Sequence, residues 1–135
     1  MVPIIKISDE EFDYIIHLSD LHIRPTERHI EYEQVFVKLY QSIQQLKNEG
    51  CRAVIVITGD VFDNKNRFSP AQYNLCNQFF DHLCDLYPLI VILGNHDMKD
   101  STTIDSITPS AYKRDNFYYL LESGAYEYGS VVFVV

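Results

Sequence analysis

Three short polar clusters hold most of the side chains that could do chemistry: Ser19-Asp20-Leu21-His22, Gly59-Asp60-Val61-Phe62-Asp63 and Gly94-Asn95-His96-Asp97. Asp20 and His22 stand two apart, so in extended chain they share one face and can grip a single ion. Asp60 has two carboxylate oxygens with which to bridge two ions, and Asn95 offers a neutral carbonyl oxygen. A mixed oxygen and imidazole set of this kind suits Mn²⁺, Fe or Zn²⁺. None of the cysteines lies in the clusters. Two divalent ions about 3.5–4 Å apart can activate water and clamp the oxygens of an in-line phosphoryl displacement. Taken singly, each cluster has an ordinary reading: Asp-x-His and Gly-Asp are common in turns, and Asn-His-Asp suits a helix-capping turn. Their order and shared position, each at a strand end, are what specify a site.

The elements that must position them can be read from hydrophobic period. Apolar runs at 14–18, 53–57 and 89–93 end directly in the three clusters and read as strands, buried on both faces. Between them, Tyr32, Phe36, Leu39, Ile43 and Leu46 step by four, three, four and three, one stripe of an amphipathic helix over 29–49. Gly50 fits the residue just past its end. Ser69, Pro70 and Gln72 read as a capped helix start, Leu75, Phe79, Leu83 and Leu86 as its stripe, and Pro88 as its stop. Strand, helix, strand, helix, strand with apolar strands predicts a parallel βαβαβ core with right-handed crossovers. Parallel strands bring all three clusters to one edge, where open α/β sheets bind ligands.

Beyond Asp97 the pattern predicts a short helix over 103–113, a strand over 117–121, and a hairpin over 125–135 turning at Gly129-Ser130. The final Val-Val-Phe-Val-Val has no turn or polar tail, and reads as a chain cut before its fold is complete. His17, within a strand, is expected to be a buried, hydrogen-bonded core histidine. His29 and His82 read as ordinary helix residues, and Cys76 and Cys84 as small core residues.

The totals narrow the classes. A chain of 135 residues, 47% hydrophobic, is long enough for one domain with a real core. No apolar run approaches the roughly 20 residues of a membrane span. Three cysteines without a CxxC pair, and no secretory leader pattern, point to an intracellular setting, cytoplasmic or nucleoid/nuclear. The net charge of −8 repels polyanions unless cations intervene. Arg24, Arg28, Lys65, Arg67 and Lys99, five of the eleven basic residues, follow the three clusters. They read equally as contacts to a phosphate backbone or as solvated loop charges.

In order and spacing, "DLH", "GDVFD" and "GNHD" resemble the calcineurin-like metallophosphoesterase superfamily, over roughly residues 14 to 97. "SDLHIR", "GDVFDNKNRFSP", "GNHD" and, more softly, "IDSITP" are most similar to the nuclease subunit of SbcCD-type DNA double-strand-break repair complexes. The resemblance implies the N-terminal part of a two-sheet αββα sandwich with two divalent ions, Mn the first choice. By position Asp20 and His22 would bind one ion, Asp60 would bridge both and Asn95 would bind the second. His96 would act on the leaving oxygen, with Asp97 orienting its imidazole and Asp63 in support. It also implies DNA as substrate, an SMC-like ATPase partner, and possible homodimers.

The family completes its metal shells with later histidines, whereas no histidine follows His96 here. Residues 1–135 are therefore expected to be the N-terminal portion of one metallophosphoesterase domain, cut before those motifs and by itself inactive or weakly active. The function expected of the parent is that of a metal-dependent DNA exo- or endonuclease. The alternatives are a phosphodiesterase or phosphatase on small or protein substrates, and a catalytically incomplete binding module.

Overall fold

The computed structural model describes residues 3–62, 69–92 and 112–135 in full, and the backbone of 98–100 and 103–106. Its main sheet has four parallel strands in the order β2 (Tyr14–Leu18), β3 (Ala53–Ile57), β4 (Leu89–Ile92), β7 (Phe117–Leu120). A smaller sheet has the order β1 (Ile4–Ser8), β8 (Ala125–Tyr128), β9 (Val131–Val134). Two helices, α1 (His29–Asn48) and α2 (Pro70–Leu86), make the β2–β3 and β3–β4 crossovers. The strands advance in one direction across the main sheet, so two right-handed crossovers lay both helices on the same face. The small sheet covers the other face, and the described layers stack as helices, main sheet, small sheet.

Side-chain alternation along β3 builds both cores. All five of its residues are buried. Ala53, Ile55 and Ile57 point to the helices, joining Phe36, Phe79, Leu83, Leu89 and Val91. Val54 and Val56 point the other way, joining Ile90, Leu120, Tyr126 and Tyr128. This is why the run lacks polar residues: a strand covered on both faces has no solvent side. The helix layer is locked by Phe36 of α1 stacking on Phe79 of α2, ring centroids 4.1 Å apart.

The caps follow the sequence. Ser69 Oγ accepts from Gln72 N–H at 3.0 Å, and Gln72 Oε1 accepts from Ser69 N–H at 3.3 Å, closing a capping box. Gly50, at φ +81°, ends α1 with its N–H donating to Lys47 O at 3.0 Å. The 125–135 hairpin turns at Gly129-Ser130 as expected. No helix among the described residues is long and apolar enough to cross a membrane.

Four expectations change. β2 is the edge of the main sheet rather than a doubly covered strand, leaving Tyr14 57% and Ile15 49% exposed. His17 on it is exposed, not buried, though it does share a 2.8 Å hydrogen bond with Thr58 Oγ1. Leu46, the last member of the α1 stripe, is 37% exposed rather than buried. The predicted helix over 103–113 is replaced at its start by β6 (Thr103–Ser106), antiparallel to β5 (Met98–Asp100). β-Branched Thr103 and Ile104 favour extended backbone there over helix, and residues 107–111 of the predicted helix lie outside the described residues. The strand β1 was not anticipated at all. His82 stacks on the Tyr40 ring at 4.5 Å, and Cys76 and Cys84 are buried, as their positions suggested.

Candidate metal centre

β2 and β3 run parallel in register, with Leu18 opposite Ile57, so the residues that follow them leave the same sheet edge side by side. Pairing continues past the strands: Thr58 N–H donates to Leu18 O at 3.0 Å, and Asp20 N–H to Gly59 O at 3.2 Å. His22 N–H then donates to Asp60 O at 2.9 Å and Ile23 N–H to Val61 O at 2.8 Å. Two loops that would otherwise diverge are thus zipped together.

Within this zipper Asp20 (φ 56°), His22 (φ 49°) and Asp60 (φ 56°) all hold left-handed backbone. That region is costly for most side chains and is entered most readily, glycine apart, by Asn, Asp and His. The residues able to bear this backbone are also the ones able to donate to a metal. Strain of this kind collects at functional sites, where the surrounding structure holds it in place.

The consequence is convergence. Asp20, His22 and Asp60 each present one ligand atom, and the three atoms lie within 4.8 Å of one another. His22 Nε2 is 3.4 Å from Asp20 Oδ1, with the Asp20 side chain 61% exposed and that of His22 35% exposed. Ser19 Oγ donates to Asp20 Oδ2 at 2.8 Å. That hydroxyl, aided by lesser contributions from Asp60 and His22, holds the Asp20 carboxyl below the usual carboxylate range against the opposing effect of desolvation, which is second only to the hydroxyl. Asp20 therefore stays an anion, as a metal ligand must. Ligand bonds of about 2.0–2.2 Å place donors within about 4.4 Å of each other, so small side-chain rotations bring this set onto one ion. The donors fit a divalent metal.

The other expected site residues divide into two groups. Asp63, Lys65, Arg67, Asn95, His96 and Asp97 lie outside the described residues, and of Lys99 only the backbone, in β5, is described. β4, which precedes Asn95 in the chain, is central in the sheet and parallel to β3, with Val91 opposite Ile57. Arg28 lines a cleft of about 330 Å³ together with Asp20, Leu21, Tyr32, Val35 and others. Its Nε is 3.0 Å from Glu31, and Arg24 is likewise paired with Glu27 at 3.2 Å. Each of these two arginines has an acidic partner three residues on.

Three supporting residues escaped sequence reasoning. Ser19 opens the first cluster, but no feature of the sequence assigned it a role. Tyr32 had been absorbed into the α1 stripe and Gln72 into the capping box, yet each also bonds the backbone next to the site.

A family model for calcineurin-like phosphoesterases matches residues 14–134. An uncharacterized protein of Acanthamoeba polyphaga mimivirus is 34% identical over 144 aligned residues, which take in 99% of this chain and 10% of the viral protein. The chain thus spans about a tenth of the length of that curated relative, 10% as aligned.

Proposed function

The chain belongs to the calcineurin-like phosphoesterase family, and from that premise we propose that it serves metal-dependent hydrolysis of phosphodiester bonds in DNA, as an exo- or endonuclease. The family carries the hydrolase class and its use of divalent metals. The observation that carries the reading to this chain is the convergence of Asp20, His22 and Asp60 within 4.8 Å. DNA as substrate is supported by the likeness of "SDLHIR", "GDVFDNKNRFSP" and "GNHD" to the SbcCD-type nuclease subunit. The SMC-like ATPase partner rests on that likeness too.

Divalent ions, Mn²⁺ by preference, supply Lewis acidity and water activation when bound. Asp20, His22 and Asp60 would hold them, with Asn95 the further ligand that the family resemblance implies. Water would give up a proton to solvent as it adds to phosphorus and the bond to the leaving oxygen breaks, and His96 would give that oxygen its proton. By the family resemblance, Asp97 would orient the His96 imidazole.

A second reading, hydrolysis of a small phosphoester, is favoured by the charge. The chain carries −8 overall, and Arg24 and Arg28 are already engaged by Glu27 and Glu31. The intact protein with Mn²⁺ is to be assayed on linear DNA and on bis(p-nitrophenyl) phosphate, beside its Asp60→Asn variant. Cleavage of DNA that fails in the variant supports the nuclease reading. Turnover of the small ester alone transfers it to the second. Equal activity of variant and wild type on either substrate refutes the assigned centre.

A further inference from the structure

We propose that Tyr32 and Gln72 are positioning residues of the metal centre, latching the backbone that carries His22. The inference rests on the reading of Asp20, His22 and Asp60 as metal ligands, and goes beyond it to residues that touch no ion.

All four backbone polar groups of His22 and Ile23 are bonded. The two N–H groups face the Asp60 loop, donating to Asp60 O at 2.9 Å and Val61 O at 2.8 Å. The two carbonyls face the helices: Tyr32 Oη–H of α1 donates to His22 O at 2.6 Å, and Gln72 Nε2–H of α2 to Ile23 O at 2.7 Å. Peptide groups gripped on both sides cannot tilt, and His22 sits at φ 49°, from which an unheld chain would relax.

Gln72 is the one buried polar residue among those described, with no solvent exposure. A buried carboxamide is costly unless both its ends are bonded. Here the oxygen closes the α2 cap and the nitrogen holds Ile23, so one side chain ties the helix start to the ligand loop. Ile23 is itself fully buried, which anchors the peptide from the other direction. Tyr32 is one helical turn before Phe36, and Gln72 two turns before Phe79, the pair whose rings stack at 4.1 Å. The stack joins both latches to one rigid helix layer. A ligand so held keeps its place without metal, which lowers the ordering cost of binding.

Tyr87 supplies the control. Its hydroxyl also donates to a backbone carbonyl, that of Cys51 at 2.5 Å, before the start of β3 and β4, at the end of the strands opposite the metal ligands. Mn²⁺ affinity is to be measured by electron paramagnetic resonance of the free ion for the wild-type chain and its Tyr32→Phe, Gln72→Glu and Tyr87→Phe variants. Gln72→Glu keeps the oxygen that accepts from Ser69 and removes the donor to Ile23. The expected result is Kd raised about tenfold in Tyr32→Phe and Gln72→Glu, the loss usual for partners that orient ligands, with Tyr87→Phe within twofold of wild type. A Tyr32→Phe affinity equal to wild type, or an equal weakening in Tyr87→Phe, overturns the proposal. Should the wild type bind no Mn²⁺, the metal reading fails, and amide hydrogen exchange judges the latch separately. Faster exchange at His22 and Ile23 in Tyr32→Phe but not in Tyr87→Phe keeps the loop-holding role, and unchanged exchange removes it.

Discussion

Replacing Gly129 and Gly50 in turn by alanine separates backbone strain from steric clash. Both glycines hold left-handed backbone, Gly50 at φ +81° and Gly129 at φ +57°. Either alanine therefore pays the left-handed penalty of about 1–2 kcal/mol. A Cβ on Gly50 meets nothing within 4 Å, so Gly50→Ala should cost that and no more. A Cβ on Gly129 would lie 2.3 Å from Glu10 O and 3.0 Å from Glu11 Oε2. The turn has little room to retreat, because Gly129 N–H donates to Ser8 O at 2.9 Å, and Ser130 N–H and Oγ–H both donate to Glu11 Oε2, at 3.2 and 2.8 Å. Forcing atoms into such a space adds about 1–3 kcal/mol, so Gly129→Ala should lose about 2–5 kcal/mol in all. Urea unfolding at 25 °C, compared at a common m-value, reads the difference. Equal losses in the two variants would refute the steric argument. Neither change should alter Mn²⁺ affinity, because Glu10 and Tyr128 share a cavity with Ala53 and Pro88 at the start of β3 and β4, away from Asp60.

Ser69→Ala removes the α2 cap and should lower stability by about 1 kcal/mol, measured by the same urea titration. Among the three thiols Cys76 and Cys84 are buried and burial pushes Cys84 up to about 11, while Cys51 is half-buried; Ellman's reagent at pH 8 should therefore find at most one reactive thiol in the native chain and three in denaturant. Asp13 is bound by Arg52 through two bonds of 3.0 Å, and the guanidinium holds its carboxyl below the ordinary range. Stability from that pair is present above the unfolded carboxylate pKa and lost as pH falls through the lower folded value. The melting temperature of wild type should accordingly fall more steeply on acidification below about pH 4 than that of Asp13→Asn, and parallel curves would contradict the assignment.

Much of the frame was legible in residue order alone. The apolar run at 53–57 and Leu89, Ile90 and Val91 of the run at 89–93 are buried, with Ile92 half-buried and Leu93 outside the described residues, because a strand covered on both faces has no place for polar residues. The capping box at Ser69 and Gln72 and the hairpin turn at Gly129 depend on contacts a few residues apart, which a linear pattern records faithfully. The meeting of Asp20, His22 and Asp60 also followed from order, because parallel strands with right-handed crossovers have only one edge on which to end.

What tertiary structure alone decided concerns neighbours distant in the chain. Periodicity marked 14–18 as a strand but could not count its partners, and β2 proved to be an edge with His17 in solvent. The left-handed backbone at Asp20, His22 and Asp60 is one that Asp and His tolerate, but it is held by the zipper between two loops some forty residues apart, which sequence order does not show. Tyr32 and Gln72 looked complete as stripe and cap, since sequence pattern assigns each side chain one role. Packing gave each a second, because both helices lie on the same face of the main sheet and their polar atoms reach the ligand loop. Local interactions decided which elements form, and only the closed fold decided which backbone groups face one another across them.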